Sequence, residues 1–314
     1  MSGATPPSLP DGVSMTALGV AWVRAVESER PDRLFDDPLA ARFLEASGWE
    51  PPELGGDGWS GDTKARALLV LAQSVIVRTR FLDDLLADFW AAGGRQVVIL
   101  GAGLDTRAFR LPWPPGGRCF ELDLEPVLDF KGAVLAEAGA PPRCDRLTVP
   151  VDLLAEWPDP LLTAGFRPAE PAVWIAEGLL IYFSQAENDQ LLTRLGSLSG
   201  PGHRLAITSS RPAGGGLGRP RPDYGDTGER AEALSGTGLL RDPDAVIALW
   251  RWDGPDDPVA WLAGHGWKAE VYDREERARA YGRPLDVAEA DAAPTRTSLI
   301  DAVFLGGSAA PARL

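Results

Sequence analysis

Nearly continuous apolar segments recur along the middle of the chain, and the stretches between them carry apolar residues at helical spacing. Continuous apolar segments are typical of strands that are buried on both faces of a parallel sheet. The predicted strands cover 96–100, 118–123, 146–152, 172–183 and 203–210, and the predicted helices between them cover 126–138 and 185–198. This alternation indicates an α/β fold with helices on both faces of a mostly parallel sheet.

Helical patterns also precede this alternation. The segment from Ser14 to Glu29 has a capping serine and helix-spaced apolar positions, a second helix begins at the pair Asp37-Pro38, and a third covers 63–92. We interpret residues 1–92 as a helical cap and residues 93–314 as the sheet core. The tail adds a helix and a strand in "DPVAWLAGHGWKAEVYD" and a closing strand in "TSLIDAVFLGG".

One segment of the core does not fit the alternation. Residues 211–238 are so rich in glycine, proline and charge that they are not expected in a core. We interpret the region around 211–242 as an insertion, either a mobile lid over a binding site or a plain surface loop.

Composition narrows the classes of partner. The chain has 31 Lys+Arg against 45 Asp+Glu, a net charge of −14, so nucleic acid and anionic membranes would be repelled. Two cysteines and no His/Cys cluster with metal spacing predict a reducing cytoplasm and no metal. The first residues lack the features of a secretory signal, and no apolar run is long enough for a membrane span. Both histidines, His203 and His265, are flanked by glycines and predicted to be structural.

A glycine loop follows the first of the core strands, in "QVVILGAGLDTRAFRL". Gly101 and Gly103 stand where backbone must approach a ligand closely, above the carboxyl edge of a parallel sheet. A dinucleotide fingerprint would have a third glycine at Thr106, and Asp105 would repel a pyrophosphate. The loop therefore favours S-adenosylmethionine, which has no phosphate and carries a cationic sulfonium and ammonium. An NAD-dependent oxidoreductase is the alternative.

Carboxylates stand near the ends of four successive strands, at Asp105, Asp123, Asp152 and Glu177. Asp123 lies 22 residues after Gly101, a distance at which a carboxylate commonly binds ribose hydroxyls. Asp152 and its neighbouring backbone are placed to contact an adenine. Each acid alone could instead cap a helix or a loop, but four in succession favour a ligand site.

A set of motifs spans residues 14–305 in order. They are "TALGVAWVRAVESERPDRLFDDPLA", "RTRFLDDLL", "QVVILGAGLDTRAFRL", "ELDLEPVLDFK", "VDLL", "AEGLLIYF", "WLAGHGW" and "YGRP". With them the chain resembles the leucine carboxyl methyltransferase-like family, and within it the bacterial branch of S-adenosylmethionine-dependent methyltransferases, which includes polyketide carboxyl O-methyltransferases of the tetracenomycin type. The motifs are specific for the family and not for a substrate.

The resemblance implies a fold and a set of cofactor-binding residues. The fold would be that of a class I methyltransferase, a Rossmann-like sheet of seven mostly parallel strands with the last one antiparallel. An arginine in the helix before the glycine loop would bind the methionine carboxylate, and we assign it to Arg78 rather than Arg80. Asp123 would bind the ribose and Glu177 the ammonium. The full set is Arg78, Gly101, Ala102, Gly103, Asp105, Asp123, Leu124, Asp152, Leu153, Glu177 and Gly178.

The chemistry of the acceptor follows from the scarcity of bases. A carboxylate has a pKa near ~4 and needs no base, whereas a phenol near ~10 usually does. The sequence therefore favours methylation of a carboxylate on a small molecule, of natural-product or polyketide type. The alternatives are a hydroxyl or phenol acceptor and a catalytically silent protein that only retains the cofactor pocket. Tyr182 is expected either to orient the acceptor or to be a core tyrosine. Lys131 is predicted to be a solvated helix charge.

Overall fold

The computed structural model of the chain describes residues 13–49, 63–212, 254–284 and 295–306. Its helices are α1 (Val13–Ser28), α2 (Ala40–Ser47), α3 (Thr63–Ala91), α4 (Arg107–Arg110), α5 (Glu125–Glu137), α6 (Pro158–Thr163), α7 (Gln185–Ser197), α8 (Pro258–Gly264) and α9 (Arg274–Ala280). Its strands are β1 (Gln96–Leu100), β2 (Arg118–Asp123), β3 (Asp145–Pro150), β4 (Ala172–Ala176), β5 (Arg204–Pro212), β6 (Trp267–Asp273) and β7 (Thr295–Phe304). A 3₁₀ helix, Leu180–Tyr182, follows β4.

The seven strands form one sheet in the order β3-β2-β1-β4-β5-β7-β6. The five strands from β3 to β5 are parallel, and β7 runs antiparallel to both of its neighbours. The predicted sheet of seven mostly parallel strands with an antiparallel closing strand is therefore confirmed. The strand order reverses between β1 and β4, which is where open α/β sheets bind ligands at the carboxyl ends of their strands.

The sheet separates two apolar cores. Val97 and Ile99 of β1 face α3, and we call this side the α3 face. Val98 and Leu100 alternate with them and face α7, on the side that we call the α7 face. All residues of β1 and of β4 are buried, which explains why these strands are apolar apart from Gln96, whose side chain bonds to the carbonyl groups of Arg167 and Glu170.

The N-terminal helices pack on the α3 face. Leu18 and Ala21 of α1, Phe43 of α2 and Leu82 of α3 belong to the same apolar cluster as Val97. The helices of the predicted cap thus share the core of the sheet. No helix in the described part of the chain has both the length and the apolar character that a membrane span requires.

Several predicted boundaries are wrong. The first helix begins at Val13, so Ser14 is not its cap, and α2 begins only after the Asp37-Pro38 pair. The fourth strand stops at Ala176 instead of running to Phe183, because the chain turns at Gly178 with a φ of 63°. The predicted insertion begins too early, since β5 runs through Pro212. The rest of that insertion lies outside the described residues.

Candidate active site

The glycine loop after β1 brings backbone close to neighbouring elements. Gly101 and Gly103 have φ values of 60° and 44°, a region that side chains other than glycine rarely adopt. A Cβ atom on Gly101 would lie 2.8 Å from Cδ1 of Leu179, and one on Gly103 would lie 3.7 Å from Cβ of Ala17 in α1. The loop is therefore enclosed by α1 on one side and by the segment after β4 on the other.

Asp123 supports this loop from the end of β2. Its Oδ2 accepts a hydrogen bond of 2.6 Å from the backbone N–H of Gly103, and its Oδ1 accepts one of 2.7 Å from Leu124. Burial raises the pKa of Asp123 although these two N–H groups act in the opposite direction. The structure thus places this carboxylate against the glycine loop. The neighbouring Leu124 side chain is exposed.

Asp152 and Leu153 lie beyond the end of β3. Oδ1 of Asp152 accepts a hydrogen bond of 2.8 Å from the N–H of Leu154, so the acid closes its own turn. The Leu153 side chain is buried in the α7-face core. Asp123 at the end of β2 and Asp152 just beyond the end of β3 stand at one edge of the sheet, as the sequence predicts.

Glu177 follows β4 and is contacted by three arginines from three different helices. Arg78 of α3 donates from Nε to Oε1 at 2.9 Å, and Arg107 of α4 donates from Nη1 to Oε2 at 2.7 Å. Arg24 of α1 donates from Nη2 to both oxygens at 3.3 and 3.4 Å. The Arg80 side chain bonds instead to Asp84 and to the carbonyl of Leu34, on another side of α3.

The three arginines differ in how firmly they are held. Arg107 is fully buried and also pairs with Asp83 and Asp105. The side chain of Arg78 is 15% exposed and that of Arg24 is 6% exposed. The Nε of Arg24 has no hydrogen-bond partner in the described structure. Arg107 is therefore a fixed part of the site, while Arg78 is the most accessible cation on Glu177.

These cations favour the ionised forms of Glu177 and Asp105. Burial alone would raise the pKa of Glu177, but Arg107, Arg24 and Arg78 outweigh it and hold that pKa well below its usual range. Burial opposes ionisation of Asp105 in the same way, and Arg107 again lowers the pKa. Asp105, which the sequence placed beside the ligand, is buried and bound to Arg107.

Of the remaining predicted residues, Gly178 and Tyr182 follow β4 and Ala102 follows β1. The backbone N–H of Gly178 donates to Oγ1 of Thr208 in β5 at 2.7 Å, and a Cβ atom at Gly178 would lie 3.3 Å from Nη1 of Arg78. Ala102 is buried in the glycine loop. Tyr182 is half-buried in the 3₁₀ helix that follows this turn.

Comparison with known proteins identifies the family. The family model described as leucine carboxyl methyltransferase matches residues 17–196, more than half of the chain. The chain belongs to the leucine carboxyl methyltransferase family. The match covers α1 from Ala17 onward, the glycine loop, and Arg24, Arg78, Arg107 and Glu177 of the charge cluster.

Two relatives with 45–46% sequence identity match over most of the chain. A protein of Streptomyces avermitilis is 45% identical over 278 residues, which are 88% of this chain and 90% of that protein. A protein of Frankia alni is 46% identical over 280 residues, with coverage of 88% and 90%. Both carry names of candidate S-adenosyl-L-methionine-dependent methyltransferases. S-adenosylmethionine is the cofactor of this methyltransferase, and the NAD-dependent alternative is set aside.

A solved structure supports the fold. The crystal structure of a DUF574 family protein from Streptomyces avermitilis, at 1.80 Å resolution, superposes with a TM-score of 0.51 and covers 90% of this chain and 96% of that one. The two sequences are 15% identical, so this likeness concerns the fold alone.

Two arginines of the methyltransferase site were missed in the sequence. Arg24 falls on the apolar stripe of α1, three residues after Ala21 and six after Leu18, both buried. A charge at such a position indicates a buried partner, and this signal was available. Arg107 stands inside the glycine-loop motif itself, but its partners Asp83 and Glu177 are distant in sequence.

The prediction for Lys131 is wrong. Its side chain is fully buried, and its Nζ lies 2.8 Å from Oε2 of Glu121, which is itself fully buried in β2. Arg146 of β3 donates to the same oxygen at 2.6 Å. A buried lysine needs such an ionised partner because isolated burial of a charge is costly. This ion-pair cluster joins α5 to β2, the strand that ends at Asp123, and to β3.

Both histidines of the chain lie away from the site. His203 immediately precedes β5, and its Nε2 is 2.9 Å from the carbonyl oxygen of Glu170, which precedes β4. His265 stands between α8 and β6, with Nδ1 2.9 Å from the carbonyl oxygen of Trp261. Since β6 runs in the same direction as β4 and β5, both histidines lie at the amino edge of the sheet, opposite Glu177.

Proposed function

We propose that the methyltransferase transfers the methyl group of S-adenosylmethionine to a carboxylate oxygen of a small organic acid, of natural-product or polyketide type, in the cytoplasm. The observation that carries this proposal is the position of His203 and His265 at the edge opposite the glycine loop. Histidine is the side chain that most often removes a proton from a hydroxyl acceptor near neutral pH. A carboxylate is already ionised and needs no such base.

The charges around Glu177 suit the methionine end of the cofactor. That end carries a carboxylate and an ammonium, and the site offers the opposite charges in Arg78 and Glu177, whose side chains pair at 2.9 Å. We propose that Arg78 and Arg24 bind the carboxylate and that Glu177 binds the ammonium. The unpartnered buried Nε of Arg24 supports this assignment, because a carboxylate would satisfy it.

Binding would then exchange one set of ion pairs for another. Arg78 would turn from Glu177 to the ligand carboxylate, and the ligand ammonium would replace it on Glu177. Arg107 would stay in place, since Asp83 and Asp105 hold it from the other side. The exchange replaces the pair of Arg78 and Glu177 by two pairs with the ligand, so no buried charge is left unpaired.

The adenosine end would bind along the edge from β1 to β3. Gly101, Ala102 and Gly103 would let the backbone approach the cofactor closely, and Asp123 would bind the ribose hydroxyls. Asp152 and Leu153 would contact the adenine, with the exposed side chain of Leu124 beside it. Each of these residues stands at or just beyond the end of its strand.

The chemical step asks little of the protein beyond alignment. When bound, S-adenosylmethionine supplies a sulfonium methyl group, and in-line attack by a carboxylate oxygen breaks the S–C bond and forms the ester C–O bond without moving a proton. Glu177 and the arginines would fix the methionine end, and Tyr182, five residues further on, would orient the acceptor. The hydroxyl of Tyr182 would act by hydrogen bonding alone.

A screen with methyl-labelled cofactor tests this proposal. Small aromatic and aliphatic carboxylic acids are each paired with the primary amide and the hydroxyl analogue of the same skeleton. We expect label to enter acids and to be absent from their amides and hydroxyl analogues. A Glu177→Gln variant should transfer label to none of them, and an Arg80→Gln variant should behave as the wild type. Label that enters only hydroxyl compounds would overturn the proposal in favour of a hydroxyl acceptor.

A further inference from the structure

One buried cation of the sheet edge has no role in the site described above. Arg274, the first residue of α9, is fully buried. Its Nη2 donates to Oε1 of Glu275 at 2.7 Å, whereas its Nε and Nη1 have no hydrogen-bond partner in the described part of the chain. Burying guanidinium donors without acceptors is costly, so such a group is typical of a binding site for an anion.

The strand register places Arg274 at the same edge as Glu177. In β6 and β7, Asp273 pairs with Ser298, and Ser298 in turn pairs with Ser209 of β5. Ser209 comes two residues after Ile207, which pairs with Ala176 at the end of β4. The end of β6 therefore lies two residues beyond the level of the end of β4, at the same edge of the sheet, and β5 and the start of β7 extend further, to the pair Pro212–Thr295.

Thr297 of β7 lies near the end of β6. The ladder between the two strands ends at the pair Asp273–Ser298, so Arg274 follows this pair as the first residue of α9 and Thr297 precedes it in β7. The Oγ1 of Thr297 lies 3.3 Å from Oγ of Ser74 in α3, so this position is on the α3 face. Ala278, one turn after Arg274 in α9, belongs to the apolar cluster of that face, and both residues are the buried ones of the helix.

A second set of contacts fixes α9 against α3. The guanidinium of Arg277 lies 5.9 Å from the ring centre of Phe81 and 4.2 Å from that of Tyr272. The hydroxyl of Tyr281 donates to Asp84 at 2.9 Å. The carbonyl oxygen of Arg283, just after α9, accepts a hydrogen bond of 2.6 Å from Nε2 of Gln73, so α9 and the residues that follow it pack along α3 between Gln73 and Asp84.

The turn of α3 around Ser74 lies next to the active site. Ser74 and Arg78 are four residues apart on α3 and share one side of it. Two threonines of the sheet lie on this face: Thr208 of β5, which accepts the Gly178 N–H, and Thr297 of β7, which contacts Ser74. The hydroxyl residues Ser74, Thr208 and Thr297 are at most 6% exposed. Buried hydroxyl groups therefore extend across the α3 face from the turn after β4 to β7, the strand that pairs with β6 at the edge of the sheet where Arg274 lies.

We infer that Arg274 binds a second carboxylate of the methyl acceptor, remote from the carboxylate that is methylated. This inference rests on the proposed function. The backbone of β6 is three strand spacings from β4, about 14 Å, so Arg274 and the reacting oxygen beside Glu177 belong to opposite ends of one ligand. The planar guanidinium matches a carboxylate, and its Nε and Nη1 are the free donors. The acceptor class is thus a dicarboxylic acid.

Nuclear magnetic resonance of the full chain tests the site without knowledge of the acceptor. The probe is sodium acetate, titrated into protein saturated with S-adenosylhomocysteine, and acetamide is the uncharged control. We expect the arginine Nε–H signal of Arg274 to shift saturably with acetate and not with acetamide. The signal is assigned by its loss in Arg274→Gln, or in the charge-conserving Arg274→Lys if the first variant does not fold. The exposed Arg279→Gln on the same helix is the matched control.

The outcomes separate this inference from the proposed function. Acetate affinity, measured by calorimetry because Arg274→Gln lacks the Arg274 signal, should fall about tenfold or more in that variant and should stay unchanged in Arg279→Gln. Binding of S-adenosylhomocysteine, measured by calorimetry, should be the same in both variants and the wild type. An Arg274 signal that ignores acetate, or that responds equally to acetamide, would overturn the second-carboxylate site. Loss of S-adenosylhomocysteine binding in the wild type would instead overturn the cofactor site.

Discussion

Arg78 and Glu177 form an ion pair of 2.9 Å that joins the long helix α3 to the turn after β4. The two residues are 99 positions apart in the sequence. Arg78 is the more accessible partner, at 15% exposure of its side chain against 7% for Glu177. This pair lies at the point where the strand order of the sheet reverses, and it has the two charges that an amino-acid head group requires.

Replacing Arg78 tests which arginine of α3 binds the cofactor. Arg78→Ala should weaken binding of S-adenosylhomocysteine by about 1.5–3 kcal/mol, the scale of a charge-assisted hydrogen bond lost from a partly buried site. Isothermal titration calorimetry measures the change. Arg80→Ala is the control, because that side chain bonds to Asp84 and the Leu34 carbonyl. If Arg80→Ala loses the affinity and Arg78→Ala keeps it, the assignment on α3 is incorrect.

The low pKa of Glu177 predicts the pH dependence of folding. A carboxylate whose pKa is depressed in the folded state contributes stability that is fully present above its unfolded pKa, here 4.5, and is lost as pH falls below that value. The difference in unfolding free energy between the wild type and Glu177→Gln should therefore be constant from pH 8 to about pH 5 and should shrink below it. Urea unfolding at several pH values measures this. A difference that changes between pH 8 and 6 would show that Glu177 is not held ionised.

The buried pair of Lys131 and Glu121 predicts a stability effect at a distance from the glycine loop. Lys131→Met should lower the free energy of unfolding by about 3 kcal/mol, because Glu121 then keeps only Arg146 as a partner in a buried position. Lys268→Met, at an exposed position of β6, should change it by less than about 0.5 kcal/mol. Equal effects in urea unfolding would mean that the buried pair contributes no more than a surface charge.

Sequence reasoning succeeded where burial alone decides the pattern. The strand of residues 96–100 was predicted with its observed bounds because both of its faces are buried, so every residue is apolar or neutral. The boundary after Ala176 was missed because the apolar residues of the 3₁₀ helix continue the apolar run. Helix α9 was missed because its sequence, REERARA, has no apolar stripe and buries an arginine instead.

Partners that are distant in sequence explain the errors at charged residues. Lys131 has the helical context of a solvated charge, and only Glu121 within an apolar strand could have indicated its partner. Arg24 is 153 residues from Glu177, and no local pattern specifies that contact. The positions of the strand-end acids were predictable because strand ends of a parallel sheet share one edge, whereas the arginines that pair with Glu177 come from three helices.

The acceptor chemistry predicts a nearly flat pH profile. Because the attacking carboxylate is fully ionised by about pH 6, turnover at saturating substrate should change little from about pH 6.5 to 8.5. Tyr182→Phe should lower turnover only several-fold, since about 1 kcal/mol of orienting hydrogen bond is lost and no proton moves. A loss of about a thousandfold in that variant, with a rate that rises steeply with pH, would indicate that Tyr182 takes part in proton transfer.

The bond that the transferred methyl group forms tests the central claim most directly. The acid that accepts label is incubated with enzyme and methyl-labelled S-adenosylmethionine, and the purified product is treated with mild alkali. A methyl ester hydrolyses under these conditions, so the account predicts that the label is released as volatile methanol and that the free acid is regenerated. Label that stays on the product after the same treatment would show an ether or a C-methyl group and would contradict carboxylate methylation.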